Sequence, residues 1–291
     1  MQLGIFAKTF SRPTVASNLD AIVEHGFRVT QYNLACAGLA TLPDSISPRL
    51  VEEIRQCCKD RGLTIAAISA TFNIIDPDLQ RRQANLRRLS ILAEATPSIG
   101  ASILTLCTGT CDPQDMWKGH PDNASAGAWK EMVKSMRSIV SIAESAGVTV
   151  AVEPEPSNVV ESVRSARRLL DEIGSQRLKI VMDGANLIDS PDLSRMRDVL
   201  DESIELLGPD IVLAHAKDVT WETGAQHCPA GTGMLDYDHY LAGLSRCGYT
   251  GPLVLHGLAE DEVAACRGFL QHKLAQLGST PRRAVPLARV N

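Results

Sequence analysis

Four residues in the second half of the chain have the chemistry of metal ligands. Glu153 closes the apolar run VTVAVE, Asp183 closes LKIVMD, His215 lies near the end of DIVLAHA and His256 closes GPLVLH. All four are oxygen or imidazole donors, so their convergence would make a mixed site suited to Mn, Mg, Co, Fe or Zn, with no thiolate to favour a softer metal. Any one of them alone is equally well explained by a helix cap or an ion pair. Four at the ends of consecutive runs are not, because buried donors that share a pocket without an ion stay unpaired at high cost. Lys217 and Asp218 lie just beyond His215, and Lys217 is the one cation expected beside the four. It could hold a phosphate, carboxylate or enediolate oxygen; pairing with Asp218 is its structural alternative.

These runs belong to a repeating pattern. Short apolar or β-branched segments at 3–7, 27–33, 63–70, 102–108, 148–153, 178–183, 210–216 and 251–256 alternate with amphipathic stretches such as SPRLVEEIRQCCKDRG and NVVESVRSARRLLDEIG. Several stretches stop at a glycine just before the next segment, as helices do at an αβ turn. Most strand candidates are unbroken apolar runs, the pattern of a sheet covered on both faces. Their number and spacing predict an α/β protein, a single (β/α)8 TIM barrel over residues 1–277, followed by a Pro/Arg-rich tail over 278–291. A doubly wound sheet is the competing architecture, and the lack of a G-x-G-x-x-G turn after any strand counts against it. In a TIM barrel the active site lies at the carboxyl ends of the strands, where the four donors fall.

Composition narrows the function classes. At 44% hydrophobic residues the chain has enough core formers for a large globular unit and too many for a disordered one. With 29 basic against 34 acidic residues the net charge is −5, and no Lys/Arg block could track a phosphate backbone, so nucleic acid is not expected as a partner. No apolar run approaches the roughly 20 residues of a membrane span, and the first residues lack a signal-peptide pattern. No membrane partner and a cytoplasmic location are expected. The 8 cysteines are expected as free thiols, and the C-x3-C pair Cys107 and Cys111 lacks the second pair that a zinc finger needs.

Around the donors the sequence resembles the xylose isomerase-like TIM barrels, the sugar phosphate isomerase/epimerase superfamily. The resemblance is carried by VAVEPEPSNVV, KIVMDGANLI, IVLAHAKDV and PAGTGMLDYDHYLAGLSRCGYTGPLVLHG, and it extends to about residue 275. It implies a divalent metal held by Glu153, Asp183 and His215, with His256 standing where the family usually has Glu. Asn186 stands where many relatives carry the His of a D-x-x-H motif that touches substrate. The implied activity is a metal-dependent isomerase or epimerase of carbohydrate metabolism, acting on a keto-sugar or related polyol through an enediolate-type proton transfer, and the implied assembly is a homodimer or homotetramer.

Because only one glutamate of the family's matched pair is kept, Glu153 is the expected base, and the second proton carrier is sought among His256, Glu155 and Glu260. Glu155 has substrate hydrogen bonding as its alternative role and Glu260 a helix start. Loss of the pair also makes a metal-dependent lyase or dehydratase on an oxidised sugar or cyclitol the alternative reaction, with a non-catalytic polyol-binding barrel as a third reading. Contacts to a polyhydroxylated ligand are expected from Asn33, Thr108, Trp117, His120, Asn186 and Lys217, with Gln31, Thr71, Asn73 and Thr110 at the same mouth. Gly231 and Gly233 in PAGTG are expected to form a loop close to the ligand.

Overall fold

The computed structural model describes residues 1–188, 191–222 and 224–279. The eight expected strands are present and parallel: β1 (Gln2–Phe6), β2 (Val29–Tyr32), β3 (Thr64–Ser69), β4 (Ile103–Leu106), β5 (Thr149–Val152), β6 (Leu178–Asp183), β7 (Ile211–Ala216) and, last, β10 (Pro252–Leu255). They close into a barrel in which β10 lies between β7 and β1. Between β7 and β10 the chain adds a short antiparallel ribbon, β8 (Asp218–Thr220) with β9 (Gln226–Cys228), which the sequence pattern does not announce because three-residue strands carry no usable period.

The outside is covered by α1 (Val15–Glu24), α2 (Pro48–Asp60), α3 (Leu79–Ile99), α4 (Ala126–Ala146), α5 (Val163–Ile173), the single turn α6 (Gly184–Leu187), α7 (Leu193–Leu207), α8 (Tyr237–Arg246) and α9 (Val263–Ser279). Local chemistry sets their ends. Ser162 and Ser165 form a reciprocal capping box that starts α5, and α4 stops at Gly147, whose φ of 70° returns its amide to the last turn. Helix α9 runs two residues past the expected boundary at 277, and 280–291, the rest of the expected tail, lies outside the described residues. Among the described residues no helix is long and apolar enough to cross a membrane. All eight cysteines are free.

Strand alternation positions the site. Successive side chains point to opposite faces of a strand, so positions two apart share the barrel interior. Ala67, Ala151, Val181, Leu213 and Val254 fill that interior as a dry cluster, separate from the larger core between strands and helices. Two residues further along the same strands stand Ser69, Glu153, Asp183, His215 and His256. Two further again come Thr71, Glu155 and Lys217, while on β1 and β2 the corresponding pairs are Phe6 then Lys8 and Gln31 then Asn33. Apart from Asp183, which lies behind its neighbours, every residue of these two polar tiers lines one cavity of about 570 Å³. The register places Asp183 beside His215 and Phe6 beside Gln31.

Candidate metal centre

The ligating atoms of Glu153, Asp183, His215 and His256 all lie within 4.8 Å of one another. Asp183 Oδ2 is central: His256 Nε2 is 3.4 Å away, His215 Nδ1 3.7 Å and Lys217 Nζ 3.3 Å. The two imidazole rings tilt against each other with centroids 4.5 Å apart.

His215 carries the clearest sign of a missing partner. Its Nε2 is 2.8 Å from Gln31 Oε1, and Gln31 turns that oxygen toward the ring because its own Nε2 donates to Thr105 Oγ1 at 3.1 Å. Nε2 is therefore a donor, and Nδ1 is the nitrogen that faces the carboxylates. That atom is buried with no hydrogen-bond partner, since Glu153 Oε1, at 3.3 Å, is out of alignment. An imidazole whose outer N–H is fixed by an amide oxygen and whose inner nitrogen is orphaned among carboxylates is arranged as a metal ligand. The donor set fits a divalent ion held by Glu153, Asp183, His215 and His256.

The electrostatics agree. Burial opposes the charge on Asp183, but Lys217, His215 and His256 outweigh it and hold the carboxyl well below its usual range. Burial likewise opposes charge on His215, and Glu153 and Asp183 more than offset it, pushing the imidazole up to about 9. The carboxylates thus draw positive charge onto His215 at Nδ1, the place a dication would take. His256 is pushed down by burial and by His215, leaving it neutral with a lone pair to give.

Glu155 differs from Glu153 although they are two residues apart. Burial raises Glu153, yet His215 and Lys217 bring it below the ordinary value. Glu155 is pushed up to about 8 by burial and by the charge of Glu153. It stands outside the four-ligand cluster and lines the cavity, so it keeps its proton at neutral pH.

Of the other expected contacts, Asn33, Trp117 and Lys217 line the cavity. Lys217 sits among Asp183 and Glu153 and does not pair with Asp218, whose carboxylate instead accepts the backbone N–H groups of Val219, Gly231 and Leu235. Three expectations are corrected. Thr108 does not face the cavity: it is fully buried, and its Oγ1 accepts the Val160 N–H, bracing the loop that carries Glu155. His120 caps a short turn, with Nδ1 accepting the Asp122 N–H, and does not line the cavity. Asn186 also lies off the cavity wall, where its Nδ2 donates to Glu153 Oε1 at 2.7 Å; it positions the carboxylate from behind.

Two further residues settle elsewhere. Glu260 is bound by Arg12 through both carboxylate oxygens at the rim, and Thr110 spends its hydroxyl on Lys118 and Asn123. Gly231 and Gly233 owe their place to packing, since a Cβ would strike the Phe269 ring at the first and Asp218 at the second. The sequence reading missed Lys8, Ser69, Thr105 and His227, all of which line the cavity, His227 from the ribbon. Lys217 is therefore not the sole cation of the mouth.

A parallel eight-stranded barrel with a carboxylate–imidazole cluster at the carboxyl ends of its last four strands defines a class: TIM barrels with a metal-type site at the mouth. The family model for xylose isomerase-like TIM barrels matches residues 19–270, and the chain belongs to that family. None of the curated proteins matches the sequence significantly. Solved structures similar to it include a 3-keto-D-glucoside 4-epimerase from E. coli (21% identity, TM-score 0.70, covering 96% of this chain and 100% of that one). Also similar are a probable 3-DHS dehydratase from Bacillus anthracis (18%, 0.69, 93% and 99%) and a xylose isomerase-like TIM barrel protein from Mycobacterium smegmatis in complex with magnesium (18%, 0.68, 96% and 97%). At these identities the likeness is one of fold.

Proposed function

We propose that this protein is a divalent-metal-dependent isomerase or epimerase that moves a proton on a keto-sugar or related polyol. The observation that carries the reading is the orphaned Nδ1 of His215 among Glu153, Asp183 and His256, with a separate carboxyl, Glu155, in the next inward tier. A bound divalent ion would polarise the substrate's carbonyl and hydroxyl oxygens. The chain's own residues do the rest. Glu153, anionic and oriented by Asn186, takes the proton from carbon. Glu155, protonated at neutral pH, gives one back, to the neighbouring carbon in an isomerisation or to the opposite face of the same carbon in an epimerisation. Lys217 keeps its charge, because Asp183 and Glu153 outweigh its burial, and it stabilises the negative charge that collects on the substrate oxygens. The epimerase among the similar structures supports the same reaction class.

A second reading has its own support. Glu153 and Glu155 come from the same strand end and differ in protonation, where the family's isomerases use matched carboxylates on two strands. A base beside a protonated carboxyl also suits β-elimination, in which the acid gives its proton to a departing hydroxyl, and a dehydratase is among the similar structures. One experiment separates the two readings. Metal content is measured by plasma emission, and a panel of ketoses and keto-acids is then incubated in deuterium oxide. Deuterium uptake at carbon in a product of unchanged formula supports proton transfer. A product lighter by one water supports elimination, and a metal-loaded protein that does neither on any member of the panel overturns both.

A further inference from the structure

We infer that the substrate is an acidic sugar whose carboxylate or phosphate is received by Lys8 and Asn33, across the mouth from the proton-transfer carboxyls. The inference rests on the proposed sugar chemistry at the same cavity and adds the charge of the molecule.

Phe6 and Gln31 are register partners on the adjacent strands β1 and β2, and the turn Ala7–Thr9 that carries Lys8 packs against β2 and against the turn Leu34–Ala37 that follows Asn33. Both line the cavity. In barrel order β5 lies four strands from β1, so Glu155 occupies the opposite wall.

The two walls differ in charge. Glu153, Asp183 and Glu155 are gathered on β5 and β6, and Lys217 is committed to them. The other wall holds Gln31, Asn33, Ser69 and Thr71, none of which bears a negative charge. Among the described residues Lys8 has no ion pair or hydrogen bond, in a protein whose arginines are largely tied to carboxylates. Asn33 is orientated as a donor: its Oδ1 accepts the Ala35 N–H at 2.9 Å and the Thr41 hydroxyl at 3.2 Å, leaving the amide N–H groups without an acceptor among the described residues. A cation without an anion beside an amide whose oxygen is already used forms a donor-only corner, which is complementary to an oxyanion and not to a neutral hydroxyl that must also donate. A keto-sugar anchored there by its charged end extends its reacting carbons toward Glu153 and Glu155.

The test measures binding, so it is independent of turnover. Affinities of the metal-loaded protein are measured by calorimetry for D-fructose, D-fructose 6-phosphate and D-fructuronate, with wild type, Lys8→Gln and Lys8→Arg. Wild type is expected to bind at least one acidic sugar about tenfold more tightly than fructose. The preference should collapse toward unity in Lys8→Gln and be retained in Lys8→Arg. Preference for the phosphate identifies a sugar phosphate as the ligand, and preference for the uronate a sugar acid. Equal affinity for acidic and neutral members, including no measurable binding of the acidic ones, overturns the inference, as does a preference that survives in Lys8→Gln. Deuterium uptake, measured on the same samples, reports separately on the proton-transfer reading: a charge preference without exchange on any sugar removes that reaction and leaves the anion corner standing.

Discussion

At the scale of single residues, the two glutamates of VEPEP make separable predictions. Glu153→Gln removes a proposed ligand and the base together, so bound metal and deuterium exchange should both be lost. Glu155→Gln should leave metal content near that of wild type while exchange falls on the order of 10²- to 10⁴-fold, the usual worth of a positioned acid or base. Equal metal loss in both variants would mean that Glu155 is a ligand and not a proton carrier. Gln31 offers a different check, because it touches the cluster only through the outer nitrogen of His215. Gln31→Leu should weaken metal binding by about 10- to 100-fold in a chelator competition. An unchanged affinity would show that Thr105 and packing suffice to hold the ring.

At the scale of elements, the loop after β7 depends on one buried carboxylate. Asp218 accepts three backbone N–H groups and ties the ribbon to the PAGTG loop. Asp218→Ala would leave those donors unpaired at roughly 1–3 kcal/mol each. Faster hydrogen exchange should therefore appear over 218–235 with little change in α3 or α4; uniform change would point to global destabilisation instead.

The sequence was informative about elements to the extent that hydrophobicity was. Eight strands covered on both faces read as apolar runs, and their last residues led to Glu153, Asp183 and His256. The strands of the ribbon are too short for such a signal, and β9 is largely exposed, so no pattern points to His227. Ser69 and Thr105 were within reach, for each lies two residues from an interior-facing neighbour on its strand, whereas Lys8 lies in the turn after β1. Thr108 and Asn186 lie past the ends of β4 and β6, Asn186 on the turn α6, where strand alternation no longer tells which way a side chain points. A polar residue near a strand end is not yet a ligand contact, since loop backbone competes for it, as it does for His120 and Thr110.

At the scale of the whole molecule, binding chemistry and stability should be linked at the mouth and separate at the far end. A ligand that binds only the folded barrel raises its melting temperature, so chelation should lower it, and Asp183→Ala should abolish the difference. Asp210, just before β7, accepts from Lys179 on β6 and from Arg167 on α5. Its carboxyl is held below the ordinary value because these two cations outweigh its partial burial. A depressed carboxyl stabilises the fold above its unfolded pKa of about 3.9 and loses that contribution as the pH falls through the folded value. The melting gap between wild type and Asp210→Asn should accordingly be full at neutral pH and shrink below about pH 4. A gap that is constant with pH would assign the effect to packing.

The hydrogen bond between Gln31 and His215 joins positions 184 residues apart. Around it the barrel divides its labour: the strands before residue 148 supply the corner with Lys8 and Asn33, and those after it supply Glu153, Asp183, His215 and His256. A chimera that joins the first half-barrel of one family member to the second half of this one should therefore inherit its substrate preference from one parent and its reaction from the other. Such a graft has one condition, a glutamine or equivalent acceptor at position 31 of the donor half, without which the imported wall would leave the metal centre's histidine free to turn.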